Sequence, residues 1–141
     1  MSARPHLVTD LDSAPWWEAL RRREFLVQAC VPCRRLRWPA RGFCNDCGSD
    51  DWTWVRASGL GTVASWTVTH RPAAEGGPFA VVLVRLADQD DILVPGYVDG
   101  PQDGTGLAIG LPVEVGFMDV AAGDDERDVV VLRWQPVHRS G

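Results

Sequence analysis

Hydrophobic and polar positions divide the chain into stretches of different period. In "SAPWWEALRRREF", Trp16, Trp17 and Leu20 gather along one side at helical spacing. Ser13 or Asp12 stands where a helix cap is wanted, Pro15 suits a first turn, and Glu18 lies where the helix dipole favours an acid. The segments "FLVQA" and "DWTWVRA" carry the β-branched and aromatic content of short strands. From about Gly59 onward the pattern becomes that of a small barrel. "GTVASWTVTH" alternates, with Ala64, Trp66 and Val68 on one face and Thr67 and Thr69 on the other. "PFAVVLVRL" is a nearly continuous apolar run, read as barrel core, and the acidic turn "ADQDD" hands it to "ILVPGYV" as a hairpin. "GLPVEVGFMDV" and "DVVVLRWQP" supply two further strands. Five strands with one longer loop after the third match an OB-type barrel better than a sandwich, which needs about seven strands.

Between the two short strand-like segments lie all the cysteines, as C-x2-C-x10-C-x2-C: Cys30, Cys33, Cys44 and Cys47. Each C-x2-C turn points two sulfurs at one place, and two such turns complete the tetrahedron of a structural zinc. Gly48 suits the end of such a turn because a positive backbone φ is often needed there. Two disulfides are the competing reading, but adjacent C-x2-C bridges staple little of a fold. Four thiolate ligands leave no position for water, so the zinc is expected to be structural and inert as a Lewis acid. Iron would use similar ligands, but the chain shows no sign of a redox partner or second centre. The expected fold class is therefore mainly β: an N-terminal helical segment (1–24), a four-cysteine zinc-binding segment (25–57) and a five-stranded OB-fold barrel (58–141).

Composition narrows the chemistry. The chain has 141 residues and a formal charge of −5, which argues against a dedicated nucleic-acid binder. No apolar run approaches the length of a membrane span, and "MSARPHLVTDLDSAP" lacks a secretory apolar core, so a reducing cytoplasm is expected. Lysine is absent, which excludes Schiff-base chemistry. Seven arginines and one acid, Glu24, fall between Arg21 and Arg41.

Taken in order, the tryptophan-bearing helix, the first "C-x2-C", "RWPAR", the second "C-x2-C-GS", "GTVASWTVTHRP", "PFAVVLVRL" and "IGLPVEV" resemble an acyl-CoA-associated family. Its members join a rubredoxin-like zinc ribbon to an OB-fold, and the match runs from about Trp16 to Pro136. The resemblance implies an accessory subunit that binds a thiolase-like, aldolase or hydratase partner acting on coenzyme A thioesters, in a hetero-oligomer. The chain departs from the family pattern at Val31-Pro32 and at Arg34, which stands where glycine is usual after Cys33. Neither change removes a ligand.

The residue chemistry is compatible with such a role. With the thiols committed to metal, His70 is the candidate acid or base away from the termini, and it has no visible partner in the sequence. Arg34, Arg35, Arg37 and Arg41 surround Trp38, and Arg34, Arg35, Arg37 and Trp38, with His70 and Arg71, are the candidates for binding coenzyme A, whose phosphates suit guanidinium forks and whose adenine stacks on aromatics. Solvated arginines, or arginines paired with acids of a partner, are equally open. Trp16, Trp17 and Leu20 either pack on the chain's own core or contact the partner. Two other functions compete: a single-stranded nucleic-acid binder built from ribbon and OB-fold, and a purely structural bridge between enzymes.

Overall fold

The computed structural model describes residues 13–120 and 129–137. Helix α1 (Ala14–Arg21) opens at Ser13, whose carbonyl accepts from the amides of Trp16 and Trp17; its side chain makes no capping bond. The first turn contains no acid, because Glu18 falls beyond it, and Asp12 lies outside the described residues. The helix ends in a Schellman turn. The Glu24 amide donates to the Ala19 carbonyl, the Arg23 amide to that of Leu20, and Arg23 takes a left-handed φ of 60°.

The ribbon is a three-stranded antiparallel sheet in the order β2-β1-β3, formed by β1 (Leu26–Cys30), β2 (Leu36–Arg37) and β3 (Trp52–Arg56). The barrel follows. β4 (Leu60–Thr69), β5 (Phe79–Leu86) and β6 (Leu93–Val98) form an antiparallel meander. β6 then lies parallel to β9 (Val129–Pro136), which is antiparallel to β7 (Pro112–Glu114) and β8 (Phe117–Val120), and β7 returns to β4. This closed circuit, with one parallel contact between the third and last strands, is the OB-fold.

Two features differ from the simplest reading of the sequence. The single strand expected over "GLPVEVGFMDV" is broken into β7 and β8, because the chain must bend across β9 at Val115 and Gly116. A Cβ on Gly116 would come within 2.6 Å of the Arg133 carbonyl oxygen, so only glycine permits that crossing. The second is a bulge in β4. Val63 pairs with Val84 but Ser65 pairs with Leu83, so Ala64 is an extra residue that reverses the alternation. Val63 before the bulge and Trp66 and Val68 after it thus all serve the interior.

Strand β5 alternates more strictly than its composition suggests. Ala80, Val82, Val84 and Leu86 are buried, while Phe79, Val81 and Leu83 are only half-buried and face outward. The inward set joins Val94, Val113, Leu132 and Trp134 in the core. Phe25 of the ribbon meets Trp134 of β9 edge to face at 6.0 Å, and Trp16 and Leu20 of the helix enter the same cluster. Helix, ribbon and barrel therefore share one hydrophobic core. Among the described residues no helix is long and apolar enough to cross a membrane.

Candidate metal centre and arginine cleft

The four cysteines sit on two copies of one turn. In the first, the Arg34 amide donates to the Cys30 carbonyl at 2.8 Å; in the second, the Gly48 amide donates to the Cys44 carbonyl at 2.9 Å. Each turn carries its last residue into the left-handed region, at φ 64° for Arg34 and 78° for Gly48. The change from glycine in the first knuckle thus leaves its shape intact. All four sulfurs lie within 4.8 Å of one another, with Cys30 to Cys47 at 3.5 Å and Cys33 to Cys44 at 3.6 Å. A tetrahedron with zinc–sulfur bonds of about 2.3 Å has sulfur–sulfur edges of about 3.8 Å, so the donor set fits zinc. Cys30 and Cys44 are buried and Cys33 and Cys47 exposed, which ties the site to the sheet on one side only.

The thiols are not equivalent. The backbone N–H of Cys47, then that of Asp46, holds the Cys44 thiol down at about 6. At Cys30 the Cys33 backbone N–H also pulls downward, but burial and hydrogen bonds with the other three thiols outweigh it and push that thiol up to about 12. A bound cation replaces this mutual proton sharing with four ionised ligands. The site is a structural zinc clip with no ligand position left for substrate.

The arginines beside the clip are less free than their number suggests. Arg35 pairs with Asp46 of the second knuckle and with Asp91 of the β5–β6 turn, tying ribbon to barrel. Arg37 donates from Nε to Gln28 Oε1 at 2.7 Å and from Nη2 to the Arg41 carbonyl at 2.9 Å, and lies over the Trp52 ring at 5.6 Å. Gln28 is fully buried and its Oε1 also accepts from the Arg41 amide at 2.8 Å, so one amide oxygen shapes the whole loop. Gln89 forms a second clamp, accepting from the Leu36 amide at 2.9 Å and donating to the Leu36 carbonyl at 2.7 Å, as a neighbouring strand would. Among the described residues, Arg34 and Arg41 have no side-chain hydrogen bond or ion pair. Trp38 is half-buried, 5.6 Å from Trp16. Together Arg35, Arg37, Trp38, Arg41, Asp46 and Asp91 line a cleft of about 200 Å³.

His70 and Arg71 stand elsewhere. They follow β4 at the end of the barrel where Thr69 pairs with Phe79, whereas the cleft lies beyond the other end of β5. Eight residues of strand separate the two places by roughly 23 Å. His70 is exposed and has no partner among the described residues, while Arg71 donates to the Gly77 carbonyl at 2.8 Å and covers the Phe79 ring at 4.6 Å. The six candidates for coenzyme A contact therefore fall into two groups. Of the candidate partner contacts, Leu20 is fully buried and Trp16 nearly so, both in the chain's own core, and Trp17 is half-buried. Gln28, Gln89, Asp46 and Asp91 were missed by residue-type reasoning. A glutamine within the apolar strand "LVQAC" was the one available signal, since a polar group there needs a partner.

Comparison with known proteins accords with this architecture. Residues 17–53 match the ChsH2 rubredoxin-like zinc ribbon domain and residues 54–118 the ChsH2 C-terminal OB-fold domain. The chain is similar to a probable enoyl-CoA hydratase alpha subunit of Thermomonospora curvata, with 36% identity over 132 residues, 92% of this chain and 40% of the relative. It is also similar to the 3-oxo-4,17-pregnadiene-20-carboxyl-CoA hydratase alpha subunit of Mycobacterium tuberculosis, at 28% identity over 89% of this chain and 38% of that one. The chain thus spans about two fifths of the length of these curated relatives. Among solved structures, a chain of the Ltp2-ChsH2(DUF35) aldolase superposes with a TM-score of 0.79 and 29% identity, covering 93% of this chain and 98% of that one. A DUF35 protein of unknown function from Sulfolobus solfataricus, at 16% identity and a TM-score of 0.61 over 92% of this chain and 87% of that one, shares the fold. With its paired zinc knuckles running directly into an OB-fold whose domains both match, the chain belongs to the ChsH2 (DUF35) family of zinc-ribbon and OB-fold proteins.

Proposed function

We propose that this chain is a non-catalytic accessory subunit of an acyl-CoA-processing complex, assembled with an aldolase- or hydratase-type partner that supplies the reacting groups. The observation that carries this reading is the likeness to a chain of the Ltp2-ChsH2(DUF35) aldolase, which extends over 98% of that chain. The names of the two hydratase alpha subunits point the same way. The chemistry of the described residues supports it. The thiols form the zinc clip, His70 stands exposed without a partner to orient it, and Tyr97 lies on the outer barrel surface. A serine- or histidine-type nucleophile is ordinarily activated by an adjacent base that a third group orients, and His70 has no such neighbour among the described residues.

Contact with coenzyme A belongs to the same proposal. Arg41 carries it in the cleft, because Arg35 and Arg37 are committed to Asp46, Asp91 and Gln28, and Arg34 stands exposed on the neighbouring knuckle, outside the cleft's lining. Arg71 and His70 form a separate candidate at the opposite barrel end.

The test is co-purification of the native protein from its source, identification of the accompanying subunit, and assay of the isolated chain and the complex on acyl-CoA thioesters. A stoichiometric acyl-CoA enzyme in the complex, with turnover there and none by the isolated chain, is expected. Turnover by the isolated chain at ordinary enzymatic rates, or a chain purified without such a partner, overturns the reading.

A further inference from the structure

The four sulfurs of the clip differ in what surrounds them. Cys30, at the end of β1, and Cys44 are buried, whereas Cys33 and Cys47 are exposed. Each exposed sulfur touches a buried one on the opposite knuckle, Cys33 with Cys44 at 3.6 Å and Cys47 with Cys30 at 3.5 Å. Every sulfur that an oxidant can reach from solvent therefore has a second sulfur directly behind it. Structural cysteines are inert when all are buried; here one thiolate of each knuckle is not.

Charge separates the two exposed positions. Arg34 and Arg35 follow Cys33 directly, while Cys47 lies between Asp46 and Asp50. A neighbouring cation favours the thiolate and its attack on a polar oxidant, and a neighbouring anion does the opposite. Cys33 is thus the more reactive of the two. Its partner across the clip, Cys44, belongs to the other knuckle, so the two sulfurs can join without opening the turn that the Arg34 amide closes on the Cys30 carbonyl.

We propose that Cys33 is a site of oxidation by peroxide and that Cys44 resolves it, so that hydrogen peroxide converts the zinc clip into a disulfide clip with release of the metal. The Cys33 thiolate attacks one peroxide oxygen; the O–O bond breaks, a sulfenic acid forms and hydroxide leaves. The Cys44 thiolate then attacks the sulfenyl sulfur, the S–O bond breaks, and a second hydroxide leaves as the disulfide forms. Two sulfurs give two electrons to one peroxide, and two protons from solvent turn the hydroxides into water. Cys30 and Cys47 remain as two ligands, too few for the closed tetrahedron of a structural zinc. The new bond closes the loop that carries Arg35, Arg37, Trp38 and Arg41 of the cleft, and it joins the same two knuckles that the metal joins. Oxidation of this pair is therefore reversible by a thiol and fresh zinc, because the knuckles stay together.

These steps use only this chain, so the zinc-loaded protein is tested alone. Substoichiometric hydrogen peroxide is added, released zinc is followed with the chelating dye pyridylazoresorcinol, and cross-links are mapped by mass spectrometry of unreduced peptides. One zinc released and two thiols lost per peroxide consumed are expected, with Cys33–Cys44 as the first disulfide. Dimedone present during oxidation is expected to label Cys33 ahead of Cys47. Arg34→Gln keeps an unbranched side chain at the left-handed position and removes the charge; it is expected to load one zinc and to release it about threefold more slowly. Dithiothreitol followed by zinc is expected to restore the starting metal content. Any other first disulfide, dimedone labelling first at Cys47, peroxide consumed with zinc and thiols retained, or an unchanged release rate in Arg34→Gln overturns the proposal.

Discussion

Arg34 and Gly48 occupy the same place in two copies of one turn: each donates its amide to the carbonyl of a zinc-ligating cysteine four residues earlier, and each has a left-handed φ. One position is filled by the residue that adopts this conformation freely and the other by a residue that does not. For an L-residue the left-handed region costs about 1–2 kcal/mol. Glycine removes that cost but gives back about 0.5–1 kcal/mol of unfolded-state freedom.

Arg34→Gly is therefore expected to raise stability by about 0.5–1 kcal/mol. Gly48→Ala is expected to lower it by a similar amount, through backbone strain alone, because no atom lies within 4 Å of where its Cβ would stand. Denaturant unfolding of the zinc-loaded protein measures both. A stability loss in Arg34→Gly would show that the arginine makes a contact outweighing its own strain.

The repeated turn also bears on what was legible in the sequence. The ligand set, the ribbon and the barrel class could all be read from spacing and alternation, because each depends on local residue order. The bulge at Ala64 and the break at Gly116 could not, since each exists to fit one strand against another far along the chain. The partners of Arg35 were hidden for the same reason. Asp46 and Asp91, which neutralise Arg35, are 45 residues apart and meet only when ribbon docks on barrel.

Zinc binding is expected to weaken as pH falls, because the metal competes with protons for four thiolates. The Cys44 thiol of the metal-free protein, held down at about 6, is already ionised at pH 7.5 but takes up a proton as pH falls through that value. Titration calorimetry in buffers of different ionisation enthalpy should therefore find more protons released per zinc at pH 5.5 than at pH 7.5. Constant proton release across this range would refute the early ionisation of Cys44. Cys44→Ser is expected to unfold the ribbon, read as lost zinc and lost dispersion of ribbon resonances.

Gln89 supplies the nearest thing to a strand pairing between ribbon and barrel. Gln89→Ala removes both hydrogen bonds to Leu36 and is expected to cost about 1–3 kcal/mol, according to how well water replaces them. Hydrogen exchange gives the sharper readout. The Leu36 amide should lose protection, whereas amides within the β4–β5 pairing should keep theirs. Equal loss in both places would mean that the clamp supports the entire fold and not the docking of the ribbon.

The arginine cleft separates into structural and available charges, and substitutions should sort accordingly. Arg37 holds Gln28, whose Oε1 also receives the Arg41 amide, so Arg37→Ala leaves a fully buried amide group short of a partner. A stability loss of about 1–3 kcal/mol is expected. Arg41 presents its side chain to solvent and uses only its backbone in that network, so Arg41→Ala should leave unfolding nearly unchanged. If the cleft receives the phosphates of coenzyme A, Arg41→Ala should still raise the acyl-CoA concentration needed to saturate the assembled complex, and added salt should reproduce the shift in the native protein. An unchanged saturation curve in Arg41→Ala, with assembly intact, would place coenzyme A contact at Arg71 and His70 or wholly in the partner, and leave the cleft as the seam that joins zinc ribbon to barrel.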